Sequence, residues 1–254
     1  LTSKTEEELV NYIDSLFETE EVPYALINQI NIFLANRPEE FIVAIPKDLF
    51  IGKIGSPIPA EEMYPKWIVG NPNPYEWNLG AEDTALSILL TDHKDLGEFQ
   101  VPVKNVMTSK FGWRDGRMHN GVDIDLEVWD PVVSVLPGVV RVARVSGGYG
   151  RVVVVRHYNG LETLYAHLHR FKVKEGDKVD AGQVVGLGGS SGHSTGSHLH
   201  FEIRFKGKPL NPLSFISFDE NSLVNDTLML KRTKNGYVSY PKGILIYTVK
   251  RGDS

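Results

Sequence analysis

The sequence predicts a mainly β domain preceded by a small α-helical region, so that the chain as a whole is α+β. After about residue 98, short valine-rich runs such as VVSVL, GVVRVARV and RVVVVRH alternate with glycine-containing turns. Valine favours strands. The turns at 137–138, 147–150 and 158–160 are short and able to adopt positive φ, which is typical of connections between antiparallel neighbours.

The first 50 residues show helical signals. Thr5 and Glu8 form a possible capping box, and apolar residues at helical spacing follow as far as Phe17. A second helix is predicted to begin at Pro23 and to stop at 36–38. We expect residues 1–50 to pack on the main domain as a structural appendage. The alternative is a partner-binding or regulatory arm. A further hypothesis is that residues 1–98 together cover part of a groove in the main domain.

Residues 51–98 are predicted to be an irregular connecting segment, because prolines, glycines and asparagines recur from 52 to 80. Residues 84–90 can form a short helix or strand before the main domain. The aromatic residues of the segment either cover an exposed edge, which we favour, or stack on sugars. They are Tyr64, Trp67, Tyr75 and Trp77.

Composition excludes several classes of function. The formal net charge is −5, and no basic cluster interleaved with aromatics occurs, so nucleic acid is not an expected partner. There is no cysteine, so any metal must be bound by His, Asp or Glu. No apolar run reaches the roughly 18 residues that a membrane helix needs. The chain begins with Leu1, and we expect a mature form from which a targeting segment was removed, in an extracytoplasmic setting.

Residues 99–216 are predicted to be the main β domain, and residues 217–254 a linker followed by a further module. The segment YTVKRGDS at 247–254 resembles the first residues of a LysM repeat. That resemblance implies glycan binding by a module that continues beyond the end of this chain.

Two separated motifs carry candidate metal ligands. In HLHFEIRF the residues alternate as in a half-buried strand, so His198 and His200 should point to one face. In HNGVD, His119 and Asp123 are four residues apart on backbone expected to be extended, where they also share a face. An imidazole, a carboxylate and a third group from a distant strand form the three-ligand arrangement in which zinc keeps an open position for water.

The remaining histidines are assigned from their surroundings. We expect His93 and His157 at the solvated surface, and His193 lies in a glycine-rich loop where either role is open. In YAHLHR, His167 and His169 alternate as the later pair does, so spacing does not distinguish them.

Three motifs in this order, HNGVD (119–123), YAHL (165–168) and SGHSTGSHLHFEIR (191–204), resemble the lysostaphin-like, LytM-type zinc peptidases of the M23 family. The resemblance covers about residues 100–216 and includes FGWR (111–114) and GKPLNPLSFI. It implies antiparallel sheets that form a groove, of lysostaphin-like or barrel-sandwich type.

The resemblance also implies a role for each site residue. One zinc ion per chain would be bound by His119, Asp123 and His200, while His167 and His198 would flank the water that it activates. The expected reaction is hydrolysis of peptide bonds in peptidoglycan stem peptides or cross-bridges, outside the cytoplasm. The alternative is an inactive LytM-like regulator that activates another cell-wall hydrolase.

Overall fold

The computed structural model describes residues 49–50, 55–64, 66–75, 86–91, 98–114, 116–233 and 236–242. All of them lie within one compact unit, Pro46–Lys242. The predicted helices in residues 1–50, and the LysM-like segment 247–254, fall outside the described residues. No helix in the described part of the chain is long and apolar enough to cross a membrane.

The described residues form nineteen strands and three single-turn 3-10 helices, the latter at Glu61–Met63, Gly147–Tyr149 and Pro212–Ser214. In chain order the strands are β1 (Leu49–Phe50), β2 (Leu86–Leu89), β3 (Met107–Ser109), β4 (Gly112–Arg114), β5 (Arg117–His119), β6 (Val122–Asp125), β7 (Pro131–Val133), β8 (Gly138–Ser146), β9 (Gly150–His157), β10 (Leu161–Leu168), β11 (Arg170–Phe171), β12 (Lys178–Val179), β13 (Val184–Leu187), β14 (His198–Phe205), β15 (Lys208–Leu210), β16 (Ile216–Ser217), β17 (Ser222–Leu223), β18 (Thr227–Thr233) and β19 (Gly236–Pro241).

The central element is a sheet in which strands follow the order β12-β8-β9-β10-β14-β6-β3, with β15 paired to β14. Each of its ladders is antiparallel, and the mainly β prediction for residues 99–216 is confirmed. The valine-rich runs form its middle strands, because β-branched side chains pack well on a pleated surface. A three-stranded sheet, β11-β13-β7, contributes Val132 and Val185 to the same apolar core.

The two faces of the central sheet differ in chemistry because side chains alternate along each strand. On β14, Leu199, Phe201, Ile203 and Phe205 are buried in the main core. The intervening residues of β14 are His198, His200, Glu202 and Arg204. One face of the strand therefore builds the core, and the other carries ionisable groups.

Sequence segments on both sides of the predicted catalytic domain contribute strands to a second sheet. Its order is β1-β2-β18-β19, and β2 lies within the 84–90 stretch for which helix and strand were both open. The hairpin β18–β19 falls where we had expected a linker, and β18 pairs antiparallel with β2. The domain boundaries themselves stay a prediction.

The aromatic residues of the connecting segment pack on a buried arginine of β9. The guanidinium carbon of Arg156 lies 3.8 Å from the Tyr64 ring centroid, 4.9 Å from that of Trp67 and 6.0 Å from that of Tyr75. Tyr64 Oη also donates a hydrogen bond to the Gly160 carbonyl at 2.6 Å. These contacts give the three rings the structural role that we favoured. Residues 66–75 are called the strap below.

Candidate metal centre

The ionisable face of β14 lies beside β6, and this pairing brings the two sequence motifs together. His200 is paired with Asp123 across the antiparallel ladder, and His198 is paired with Asp125. Directly opposed residues on one face lie close enough for their side chains to touch. The His200 Nδ1 to Asp123 Oδ1 distance is 2.8 Å.

His119 reaches the same point from the end of β5. Its backbone is extended as expected, but Asn120 and Gly121 separate β5 from β6, so His119 and Asp123 lie on two strands rather than one. Gly121 passes so close to β14 that a Cβ there would lie 2.2 Å from the Phe201 carbonyl oxygen. The glycine of HNGVD is therefore required by the close approach of two strands.

Three electron-pair donors converge in this centre. His119 Nε2 lies 3.1 Å from Asp123 Oδ1 and 3.1 Å from His200 Nδ1. The second ring nitrogen of each histidine has its own acceptor, because His119 Nδ1 lies 2.7 Å from the Lys110 carbonyl and His200 Nε2 lies 2.9 Å from Glu202 Oε1. These acceptors favour tautomers whose lone pairs face each other and the carboxylate.

Asp123 and His200 shift each other's pKa values in opposite directions. Burial alone would raise the pKa of Asp123, but hydrogen bonds from His119 and His200 outweigh it and hold that pKa well below its usual range. Burial alone would lower the pKa of His200, but Asp123 and Glu202 raise it to about 9. Without a cation, the centre therefore holds a proton on His200, which a bound metal would displace.

The donor set fits zinc. Two imidazole nitrogens and one carboxylate oxygen are the ligands of many catalytic zinc sites, which leave a fourth position open. Ligand atoms around a tetrahedral zinc lie roughly 3.4 Å apart, as bond lengths near 2.1 Å require. His119, Asp123 and His200 are also the only set of three or more metal-ligating residues that the described part of the chain brings together in this way.

His167 enters the site through a β-bulge. The β9–β10 register changes between Tyr165, paired with Val153, and Leu168, paired with Arg151. His167 has φ of 60° there, and its ring lies 5.9 Å from that of His200. The extra residue moves His167 off the core face that Tyr165 occupies and towards the ionisable face.

His167 and His198 face each other beside the three ligands, with ring centroids 4.8 Å apart. His167 Nδ1 lies 2.7 Å from the Ser191 carbonyl, and His198 Nδ1 lies 2.9 Å from the Gly196 carbonyl. If each Nδ1–H donates to its carbonyl, each Nε2 keeps a lone pair. Burial lowers the pKa of His167, and electrostatic repulsion from His198 and His200 adds to this. The hydrogen bond to the Ser191 carbonyl acts in the opposite direction.

The other histidines lie elsewhere, and one expectation about them was wrong. His169 packs edge-on against Trp129, with centroids 4.1 Å apart, so the structure places His167 rather than His169 at the centre. The imidazole of His193 adjoins Gly148. His157 is buried rather than solvated, at 1% exposure, because its ring lies on the core face of β9, where its Nε2 is 2.8 Å from Thr163 Oγ1. His93 falls outside the described residues.

Sequence reasoning missed the partners behind His200. Glu202 and Arg204 share its face of β14, and both are buried. Arg204 Nε donates to Glu202 Oε2 at 2.5 Å, and Tyr149 Oη donates to Glu202 Oε1 at 3.0 Å. The alternation of HLHFEIR placed these charges on the histidine face, which was the available signal.

Fold and site together define a β-sheet domain with a candidate His, Asp, His metal centre flanked by two further histidines. Residues 117–212 match the model of Peptidase family M23. The catalytic domain of the prophage-encoded M23 protein EnpA from Enterococcus faecalis is 36% identical, with 44% of this chain and 92% of that chain covered and a TM-score of 0.40. The chain belongs to peptidase family M23, and the resemblance seen in the sequence is confirmed.

Two curated relatives have longer chains. The DD-carboxypeptidase/endopeptidase Mpg of Neisseria meningitidis is 45% identical over 114 residues, which are 42% of this chain and 26% of Mpg. The peptidoglycan DD-endopeptidase ShyA of Vibrio cholerae is 41% identical over 95 residues, which are 37% of this chain and 22% of ShyA. The chain thus spans about a quarter of the length of these relatives.

Proposed function

We propose that this protein is a zinc-dependent endopeptidase that hydrolyses peptide bonds in bacterial peptidoglycan, with one zinc ion per chain held by His119, Asp123 and His200. The observation that carries the proposal is the convergence of these donors beside the paired imidazoles of His167 and His198. The names of Mpg and ShyA support peptide bonds of peptidoglycan as the substrate.

The roles of the chain's own residues follow from their tautomers and pKa values. Zinc, when bound, polarises the scissile carbonyl and acidifies the attacking water. His167 is held neutral by its lowered pKa, so its Nε2 can accept a proton as the water oxygen bonds to the carbonyl carbon. The imidazolium so formed can stabilise the oxyanion and then give its proton to the leaving amine as the C–N bond breaks.

His198 is the second proton-handling residue in this proposal. Its Nε2 lies 3.9 Å from Asp123 Oδ1, so the ring borders the ligands without belonging to the triangle that they form. His198 Nδ1 is anchored on the Gly196 carbonyl. This anchor holds the ring where its Nε2 can take over either proton transfer from His167.

The cellular setting is part of the proposal. A peptidoglycan substrate requires that the protein act outside the cytoplasm, in the periplasm, at the cell envelope or after secretion. Peptidoglycan peptides are then the partner. The N-terminal region is proposed as an accessory segment that can limit access to the groove. Equal hydrolysis with and without residues 1–45 would remove that last role.

The decisive experiment separates ligands from proton carriers. His119→Ala and Asp123→Ala should lose both zinc, measured by metal analysis after dialysis, and hydrolysis of purified peptidoglycan, measured by mass analysis of released muropeptides. His167→Ala should keep zinc and lose turnover. His169→Ala is the matched control, since this histidine is two residues away and packs on Trp129, and it should keep both.

Two outcomes would contradict the proposal. Undiminished hydrolysis by His119→Ala or Asp123→Ala would remove the metal assignment. A wild-type protein that is folded but purifies without zinc, does not take it up and releases no muropeptides would favour the regulator that binds another hydrolase. Digestion of peptidoglycans with different cross-links would name the bond that is cut.

A further inference from the structure

Glu202 is a fully buried carboxylate that the proposed reaction does not use. Its Oε1 lies 2.9 Å from Nε2 of His200, the ring nitrogen that points away from Asp123 and His119. The same oxygen accepts a hydrogen bond from Tyr149 Oη at 3.0 Å. The other oxygen, Oε2, accepts from Arg204 Nε at 2.5 Å. Each carboxylate oxygen thus has a defined donor.

Arg204 is itself fixed on both sides. Its Nη2 donates to Tyr149 Oη at 2.8 Å, and its Nη1 donates to the Pro72 carbonyl of the strap at 3.2 Å. Arg204 is 3% exposed and Glu202 is fully buried. A buried ion pair in which each guanidinium nitrogen and each carboxylate oxygen has a partner holds its members in one geometry, because rotation leaves a charge unpaired in a low-dielectric environment.

The hydrogen bond to Glu202 fixes the orientation of the His200 ring. A histidine that donates its outer N–H to a carboxylate has its tautomer and ring plane set by that bond. Since Glu202 accepts from Nε2, His200 presents Nδ1 towards Asp123 and His119. Rotation of the ring would break the bond to Glu202.

A second buried glutamate provides a natural comparison. Glu162 Oε1 accepts from Arg141 Nε at 2.6 Å, from Arg156 Nε at 2.9 Å and from Tyr75 Oη at 2.8 Å. Arg141 also donates to the Pro72 carbonyl, at 2.9 Å. This glutamate therefore has the same burial, the same kind of arginine partner and a contact with the same strap carbonyl. None of its described hydrogen bonds reaches a proposed ligand.

We propose that Glu202 is the positioning residue of the metal centre: it holds His200 with Nδ1 towards the metal, and Tyr149 and Arg204 hold Glu202 in turn. This inference rests on the proposed zinc site and adds to it a residue that touches neither zinc nor substrate. Partners of this kind behind a ligand typically change metal affinity by about 10- to 100-fold when they are removed.

The test compares Glu202→Gln with Glu162→Gln in the full chain. Both substitutions neutralise a buried glutamate at nearly constant volume, and they remove the anionic partner of Arg204 in one variant and of Arg141 and Arg156 in the other. Zinc affinity of the metal-free proteins is measured by competition with a chromophoric chelator, and folding by circular dichroism. Glu202→Gln should bind zinc about 10- to 100-fold more weakly than the wild type. Glu162→Gln should bind it as the wild type does, even where its unfolding midpoint falls.

Tyr149→Phe is the second variant, because it removes one hydrogen bond from Glu202 and leaves every charge in place. It should weaken zinc binding in the same direction and by less. If Glu202→Gln does not fold, Tyr149→Phe decides, and a wild-type affinity in that variant overturns the inference.

The remaining outcomes distinguish this inference from the proposed function. Folded Glu202→Gln that binds zinc as tightly as the wild type overturns the positioning role and leaves the ligands standing. Equal losses in Glu202→Gln and Glu162→Gln also overturn it, because the effect would then belong to buried charge in general. A wild-type chain that binds no zinc overturns the proposed function instead.

Discussion

His167 shows how much depends on the backbone of a single residue. Its φ of 60° lies in the left-handed region, which costs a non-glycine residue roughly 1–2 kcal/mol. The hydrogen bond from Nδ1 to the Ser191 carbonyl, at 2.7 Å, helps to hold the ring in this conformation. Strain of this kind persists where the surrounding structure over-determines it, and functional sites are typical places.

In ordinary strand backbone a glycine variant is less stable than an alanine variant, and the strain at His167 predicts the opposite order there. His167→Gly should be more stable than His167→Ala by about 1 kcal/mol, because glycine adopts positive φ without steric cost. Urea unfolding of the metal-free proteins measures the difference. His169 is the control, since its φ is not positive, and there the glycine variant should be the less stable of the two. The same order at both positions would contradict the strain argument.

At the scale of the element, the antiparallel pair β6 and β14 brings together two of the proposed ligands, Asp123 and His200, and Gly121 allows the close approach of these strands. Cβ of any other residue at 121 would meet the Phe201 carbonyl oxygen at 2.2 Å and Glu202 Cγ at 2.8 Å. Backbone on one side cannot yield without breaking the ladder that pairs His200 with Asp123.

Gly121→Ala is therefore expected to destabilise the fold by about 2 kcal/mol or more, as overpacking of a tight contact does. It should weaken zinc binding as well, because the ladder that pairs two ligands must shift. Gly196→Ala is the control, since a Cβ there has nothing within 4 Å and φ is not positive. Its free energy of unfolding should stay within about 0.5 kcal/mol of the wild type. Equal losses in the two variants would refute the close-approach argument.

Buried His157, at the end of β9, makes the free energy of unfolding depend on pH. Burial lowers the pKa of His157 to about 4, against the opposing effects of Pro137 and Glu162. The unfolded chain takes up this proton near pH 6.5, and the folded chain does so only near pH 4. The contribution of neutral His157 to stability is therefore fully present above pH 6.5 and falls as the pH drops from 6.5 towards 4.

The loss amounts to up to about 3 kcal/mol at low pH. Urea unfolding of the metal-free wild type and of His157→Gln at pH 8, 6 and 5 measures it. The variant lacks this titratable group, so its stability should fall less steeply below pH 6.5. Parallel curves would show that His157 is protonated equally in the folded and unfolded chains.

At the scale of the whole molecule, the central sheet packs a hydrophobic core on one face and carries ionisable side chains, among them the proposed metal site, on the other. Buried arginines and glutamates occupy part of the ionisable face, and the strap carbonyls of Ile68, Asn71 and Pro72 accept hydrogen bonds from two of the arginines, Arg141 and Arg204. An uncapped buried guanidinium would cost several kcal/mol. The strap is therefore part of the folded domain that carries the site.

Zinc should stabilise the whole domain, because His200 lies 77 residues from Asp123 in the chain and the three proposed ligands converge only in the folded state. Free zinc at 100 times its dissociation constant adds about 2.7 kcal/mol to the free energy of unfolding. A thermal melt with zinc and with chelator measures the shift. His119→Ala should melt at one temperature under both conditions. An equal response of that variant would place zinc elsewhere.

Local patterns in the sequence were sufficient to predict the mainly β domain, the shared face of His198 and His200, and the candidate ligands. Valine-rich runs, glycine turns and strict alternation are short-range properties, and they depend on backbone sterics alone. The choice of His167 over His169 came from resemblance to a family, since the two histidines alternate in the same way and spacing does not distinguish them.

Only the tertiary structure decided what depends on contacts between distant residues. A one-residue bulge turned His167 towards the proposed ligands, and packing within the main core buried His157. The pairing of β2 with β18 joined segments from both flanks of the domain, and a carbonyl of the strap met Arg204. Each of these depends on register or packing across tens of residues, which periodicity within one strand does not encode.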